Sequence, residues 1–324
     1  MLYNMLLSAG DFAVYLAESN VFNLLAPRFG DLGVRLNRET LIDAWLQSKL
    51  FRATFLDADD IRIKLLEQCK NSGDFLRIVM EEMARAQKVK RWADNSPEEL
   101  LHMRAIKREL PDALFIHMIR DGRDVSLSLE ARPHKWVRPF AWDRQNSLLV
   151  TGVFWEWMVQ RGRKQGETLG NDYMEVRFED LQAEPQATLG KIGEFIQHDL
   201  NYERILRVGI GSVSEPNTSF KGDAAGPVGR WKKKISPEQL AMFEEIVGPT
   251  LKSLGYPLAG VGAAVDRLTA LRIRAFYRTY LDAKFSFKNS SLGRYYLGRM
   301  SGQQIDDTVI AVDPAREAAR TVRS

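Results

Sequence analysis

The run Ala113-Leu114-Phe115-Ile116-His117-Met118-Ile119 is apolar over the length of a strand. It empties into Arg120-Asp121-Gly122-Arg123-Asp124, after which Val125-Ser126-Leu127-Ser128 opens a helical pattern. Strand, charged turn and helix in immediate succession form the unit from which parallel α/β sheets are built, because the helix must carry the chain back to start the next parallel strand. Such a unit delivers Arg120 to the carboxyl end of its strand, where α/β sheets bind ligands. The helix that follows offers unpaired N–H groups and a positive dipole end, and Ser128 adds a hydroxyl on its second turn. A guanidinium fork beside a hydroxyl suits one phosphate group. The plainer reading is that Arg120, Asp121, Arg123 and Asp124 neutralise one another on the surface.

The same alternation recurs along the chain. Leu2, Met5, Leu6 and Ala9 lie at helical spacing before Gly10, and Phe12 to Ala17 reads as a buried strand. Residues 38–88 are mostly helical, with Leu41, Ala44, Trp45, Leu46 and Leu50 on one stripe, and 89–93 is a short strand candidate. Ser96-Pro97-Glu98-Glu99 and Ser236-Pro237-Glu238-Gln239 both combine an N-cap hydroxyl, a proline at the first helical position and an N3 side chain able to close a capping box. Asp124 is placed to cap the helix after the charged turn. Further helices are expected near 142–163 and 185–197, and a strand at Tyr173-Met174-Glu175-Val176-Arg177-Phe178. Strands separated by helices predict an α/β fold with a three-layer parallel sheet. Residues 1–258 read as one α/β domain. Residues 259–324 read as a helical appendage whose apolar side chains include Leu271, Ile273, Phe276 and Tyr280. Residues 217–229 are glycine-rich and aperiodic, and read as a loop.

The net charge of +4 comes from 46 basic and 42 acidic residues, with the excess in the last sixty or so positions. The main body therefore has no global field for nucleic acid, and anion binding must come from local geometry. Cys69 is the only cysteine, which excludes an intrachain disulfide and a Cys-rich metal site, and makes the reducing cytoplasm the expected location. No apolar run approaches the length of a transmembrane helix.

Three motifs in order carry a resemblance to a known family. The strand ending in Arg120-Asp121-Gly122-Arg123-Asp124-Val125, with Ser128 following, resembles the 3′-phosphate-binding motif of sulfotransferases that use 3′-phosphoadenosine 5′-phosphosulfate. Tyr173 to Leu181 looks like the family's strand ending in Y-E-D-L. Lys221-Gly222 and Gly229-Arg230-Trp231-Lys232 resemble its late basic loop. The likeness runs from about residue 2 to 257 and is nearest to the bacterial and tyrosylprotein-like branches. It implies a P-loop-nucleotide-hydrolase-like fold in which Arg120 and Ser128 hold the 3′-phosphate, Phe178 stacks on the base, and Lys221, Gly222, Arg230, Trp231 and Lys232 close over the same phosphate. It implies no metal.

The family opens with a strand and a loop of the type G-x-x-R-S-G-T that wraps the 5′-phosphosulfate. No such segment exists in these 324 residues, and Leu2 to Leu7 looks like the helix that follows it. A late start site is one expectation, and a catalytically impaired nucleotide-binding relative is the other. For the base that takes the acceptor's proton, the resemblance points to Glu18, in Glu18-Ser19-Asn20-Val21, and His134 is the rival. Asn95 stands where the family often has lysine, so that Arg91 or another residue must supply the charge. His134, Trp136 and Trp142 are the candidates for binding the acceptor, a carbohydrate, a small molecule or a protein tyrosine. Trp155 and Trp157 read as helix packing. A nucleotide kinase would need G-x-x-x-x-G-K-[ST], which is absent, and a membrane adaptor would need a sustained amphipathic helix in the tail.

Overall fold

The computed structural model describes residues 1–131, 140, 146–209, 228–260 and 265–308. They fall into two compact units. The first comprises Met1–Leu114, Ile192–Asn217 and Lys288–Ser324, and the second Phe115–Lys191 and Thr218–Phe287.

In the first unit the helix Leu2–Ala9 forms as its spacing predicts, with Met5, Leu6, Leu7 and Ala9 buried, and Gly10 ends it at φ 84°, where a side chain would be strained. The two strand candidates that follow do find each other, but only through one parallel bridge, Phe12 to Arg91. Pairing stops there because the Gln87 amide satisfies Val14 instead: its Oε1 accepts from Val14 N at 2.7 Å and its Nε2 donates to Val14 O at 3.1 Å. The helical stretch from 38 onward is broken into Arg35–Leu46, Lys49–Arg52, Ala58–Gln68 and Ser72–Ala86. Ser48, Asp57 and Asn71 cap the last three through their side chains. Trp45, on the expected stripe, is buried edge-on to the rings of Phe51 and Phe75.

The two proline-containing signatures behave differently. Ser236 and Gln239 close a full capping box on the helix Pro237–Ser253. Ser96 makes no cap for the 3-10 turn Pro97–His102, which leads into the helix Met103–Glu109. Its hydroxyl and the Glu99 carboxylate are used on residues 20–23 instead, as described below.

In the second unit β1 (Phe115–Ile119) runs parallel to β2 (Tyr173–Arg177), in register Phe115 to Tyr173 through Ile119 to Arg177. Among the described residues this pair is the whole sheet, narrower than the three-layer arrangement expected, and helices make up most of the structure. The helices Ser147–Gly166 and Pro237–Ser253 supply the core with Val150, Val153, Trp155, Phe243, Val247 and Leu251, and the helix Gly122–Glu130 buries Gly122, Arg123, Asp124 and Ser126. The helix Arg267–Asn289 buries Ala270, Tyr277 and Leu281, and leaves Leu271 and Phe276 exposed. Its rotation is set by charge: Arg274 and Arg278 both reach the fully buried Glu156, at 2.9 and 3.3 Å.

Candidate functional site

The charged turn after β1 separates its two arginines into different environments. Arg123 is 1 % exposed and saturated. Its Nε and Nη2 donate to Asp121 at 3.0 and 2.8 Å, its Nη1 donates to Glu244 and to Pro257 O, and its face lies 3.8 Å from the centre of the Trp231 ring. The helix is capped by Asp121, which accepts from Arg123 N, not by Asp124 as the spacing suggested. Asp124 is fully buried and accepts from Gly229 N at 2.6 Å and Trp231 N at 3.1 Å, so it ties the late basic segment to the turn. Burial raises its pKa, and those two N–H groups oppose the rise. Gly122 is required by packing, since a Cβ there would lie 2.5 Å from the Trp155 ring.

Arg120, half-buried, lies over the Phe178 ring at 4.5 Å from its centre. Burial lowers its pKa, Asp124 opposes the shift, and Arg230 is close enough to add repulsion. Arg230 in turn donates from Nη2 to Ser128 Oγ at 2.8 Å, while its Nε is enclosed without an acceptor. Arg230 thus joins Ser128 and stands close enough to repel Arg120, which Asp124, Glu179 and Asp121 attract, so two cations and a hydroxyl lie in the turn among its carboxylates. The turn is held by residues that the motif reading passed over. Glu179 accepts from Asp121 N at 3.0 Å and from the Tyr256 hydroxyl at 2.7 Å, and Trp155 Nε1 donates to Arg120 O at 3.1 Å. No local pattern marks Tyr256, whose partner is 77 residues away.

Two expected contacts take another form. Phe178 is buried with the Arg120 guanidinium on its face, so it supports that arginine rather than offering an open surface for stacking. Trp231 is likewise buried and does the same for Arg123, whereas Lys232 is exposed. His134, Trp136, Trp142, Lys221 and Gly222 lie outside the described residues. Trp155 and Trp157 are buried core residues, as read from their helical context.

In the first unit Glu18 is half-buried and opens a turn built from carboxylates. Its carbonyl accepts from Asn20 Nδ2, and Asn20 sits in the left-handed region at φ 51°. Asp94 accepts from Ser19 Oγ at 2.8 Å and from Ser96 Oγ at 2.9 Å, and Ser96 Oγ accepts from Asn20 N. Glu99 Oε1 accepts from Phe22 N at 2.8 Å and Asn23 N at 3.4 Å, at the start of the π-helical turn Val21–Leu25. Burial pushes Glu99 up to about 8, with the Asp94 charge adding to it, and raises Asp94 as well. Asn95 is exposed. Arg91 does not substitute for a lysine there: its guanidinium donates to Ile196 O and Gln197 O, capping the end of the helix Pro185–Ile196. His117 is a core residue, bonded to the Tyr173 hydroxyl at 2.6 Å and pushed down to about 4 by burial.

Parallel strand, arginine-bearing turn and serine-bearing helix form an α/β unit with cationic groups at the carboxyl end of its strand, and the comparisons with known proteins say which family it belongs to. The chain belongs to the sulfotransferase family, whose model matches residues 1–202. Among solved structures it is similar to the sulfotransferase domain from the Synechococcus PCC 7002 olefin synthase. Identity is 19%, over 79% of this chain and 90% of that one, with a TM-score of 0.51. It is also similar to the sulfotransferase domain from the curacin biosynthetic pathway, at 17% identity over 85% and 92% of the two chains and a TM-score of 0.46. No curated relative matches. The chain is a sulfotransferase: it takes a sulfuryl group from a donor and passes it to an acceptor.

Proposed function

We propose that the donor is 3′-phosphoadenosine 5′-phosphosulfate and that Arg120, Ser128 and Arg230 grip its 3′-phosphate. The observation that carries this reading is the convergence of two guanidinium groups and one hydroxyl in the turn after β1, with Arg230 Nε still lacking an acceptor. A dianionic phosphate relieves the repulsion between the two cations and fills that vacancy. Lys232 is exposed within reach of the same segment and adds positive charge at its edge. The domain boundaries at 258 and the cytoplasmic location stand as parts of the same reading.

Glu18 is the base. It takes the proton of the acceptor's hydroxyl or amine as the acceptor attacks sulfur, the bond from sulfur to the donor phosphate breaks, and 3′-phosphoadenosine 5′-phosphate leaves. The support for this role is a half-buried carboxylate at the head of a turn pinned by Asp94, Ser96 and Glu99. The acceptor is a hydroxyl- or amine-bearing molecule.

The test measures binding of 3′-phosphoadenosine 5′-phosphate against adenosine 5′-phosphate by calorimetry. Wild type prefers the ligand with the 3′-phosphate by about 10²-fold or more, since each charge-assisted bond is worth about 1.5–3 kcal/mol. Arg120→Met and Ser128→Ala lose most of that preference. An undiminished preference in Arg120→Met removes the grip from this turn.

A further inference from the structure

The first unit contains a cavity of about 830 Å³ that no family motif touches. That volume suits a small organic molecule. Four arginines line it, Arg28, Arg108, Arg294 and Arg299, against two carboxylates, Asp31 and Glu109. Both carboxylates are already engaged by the backbone. Asp31 Oδ1 accepts from Gly33 N at 2.9 Å, and Glu109 Oε2 accepts from Gly73 N at 2.8 Å. The remaining titratable wall residue, His102, is pushed down to about 4 by burial and is neutral at physiological pH. The wall therefore carries an excess of positive charge.

Arg28 is the telling residue. Its Nη1 is enclosed and has no hydrogen-bond acceptor, and burial lowers its pKa. The side chain is half-buried, but this one nitrogen is cut off from water without an acceptor, a cost that is recovered when an anion enters. Arg299, by contrast, donates to Asn37 and Thr40, and Arg294 donates to Ser291 Oγ at 3.3 Å. Between these charges the wall is apolar, formed by Phe22, Pro27 and Phe29, and Tyr295 stands 80% exposed at the lining.

We propose that this cavity binds an organic anion, a carboxylate or phosphate ester on an apolar or aromatic body, with its charged end at Arg28. Phe22 belongs to the π-helical turn that begins just after Glu18-Ser19-Asn20, so the cavity wall continues the turn that carries the base. An acid of this kind that also carries a hydroxyl or amine is accordingly assigned as the sulfuryl acceptor. That assignment rests on the reading of Glu18 above, whereas the binding itself rests on the cavity alone.

The test uses the full chain with phenyl phosphate, benzoate and the neutral benzyl alcohol as probes, read by ligand-observed NMR without any donor present. Phenyl phosphate and benzoate bind, and benzyl alcohol binds at least about tenfold more weakly, as expected for a charge-assisted bond. Arg28→Met weakens the anions by about tenfold or more, with thermal melting confirming that it folds. Arg294→Gln, on an exposed side chain, weakens them by a smaller factor and serves where Arg28→Met fails to fold. Equal binding of all three probes, or anion binding unchanged in both variants, overturns the proposal. 4-Hydroxybenzoate, which adds the hydroxyl that sulfuryl transfer needs, is then offered together with the donor: anion binding that follows these variants, with 4-hydroxybenzoate bound but never sulfated, leaves the binding site standing and overturns the acceptor assignment.

Discussion

The turn after β1 and the turn after Glu18 are stressed in opposite senses. Around Arg120 the fold brings cations together, Arg120 and Arg230, beside a serine hydroxyl. Around Ser19 to Asn23 it brings carboxylates together, Asp94 and Glu99, and pushes both pKa values upward. The first turn gains from an incoming anion, and the second gains from bound protons and backbone N–H groups. On the proposed reading these are different tasks, binding a charged donor at the first turn and presenting a base at the second.

The strongest way to break this comparison is Glu18→Gln. Turnover falls by about 10²–10⁴-fold, while affinity for 3′-phosphoadenosine 5′-phosphate stays at the wild-type value. A parallel loss of nucleotide affinity would show that the two turns do not divide the work. Next in size is the contrast between neighbouring arginines. Arg123→Met strands Asp121 and Glu244 as buried charges and costs about 3–5 kcal/mol in denaturant unfolding. Arg120→Met removes the cation over the Phe178 ring and the attraction of Asp124, but also the repulsion from Arg230, and costs less, about 1 kcal/mol. Equal destabilisation by the two would remove the distinction between a structural and a ligand-facing arginine.

The smallest effect is a pH dependence. The folded chain holds the Glu99 proton up to about pH 8, against 4.5 for an unperturbed glutamate. Between those values Glu99 holds its proton in the folded but not the unfolded state, so its contribution to stability is fully present below about 4.5 and is lost as pH rises through 8. Glu99→Gln keeps an acceptor for Phe22 N and Asn23 N but removes the titration. Its melting temperature falls less across that interval than that of wild type, by a few degrees. Parallel melting curves would show that Glu99 ionises normally in the fold.

The part of the site that could be read from the chain is local. A strand-length apolar run, a charged turn and a helix within sixteen residues put Arg120 just past the end of a strand and Ser128 on the helix that follows, because backbone geometry fixes such short spacings. The role of Arg123 could not be read this way, since Glu244 and Pro257 lie 121 and 134 residues away. The paired signatures at Ser96 and Ser236 make the same point. Each has the hydroxyl, the proline and the N3 polar group of a capping box, yet only Ser236 closes one. At Ser96 the turn at residues 19–23 competes for the same groups, with buried N–H donors that would otherwise go unpaired. The inward face of the helix Arg267–Asn289 is likewise not legible in its apolar residues. A buried Glu156 demands two arginines, and satisfying it outweighs leaving Leu271 and Phe276 in water.

From the order of its residues alone, this protein's helices, its β1–turn–helix unit and the family they belong to were determined, because periodicity and short-range spacing act through the backbone. The convergence of Arg230 on Ser128, the pinning of the Glu18 turn by Asp94 and Glu99, and the arginine-lined cavity were decided only by tertiary structure. Each depends on charges brought together from distant parts of the chain, and on a burial that no local pattern encodes.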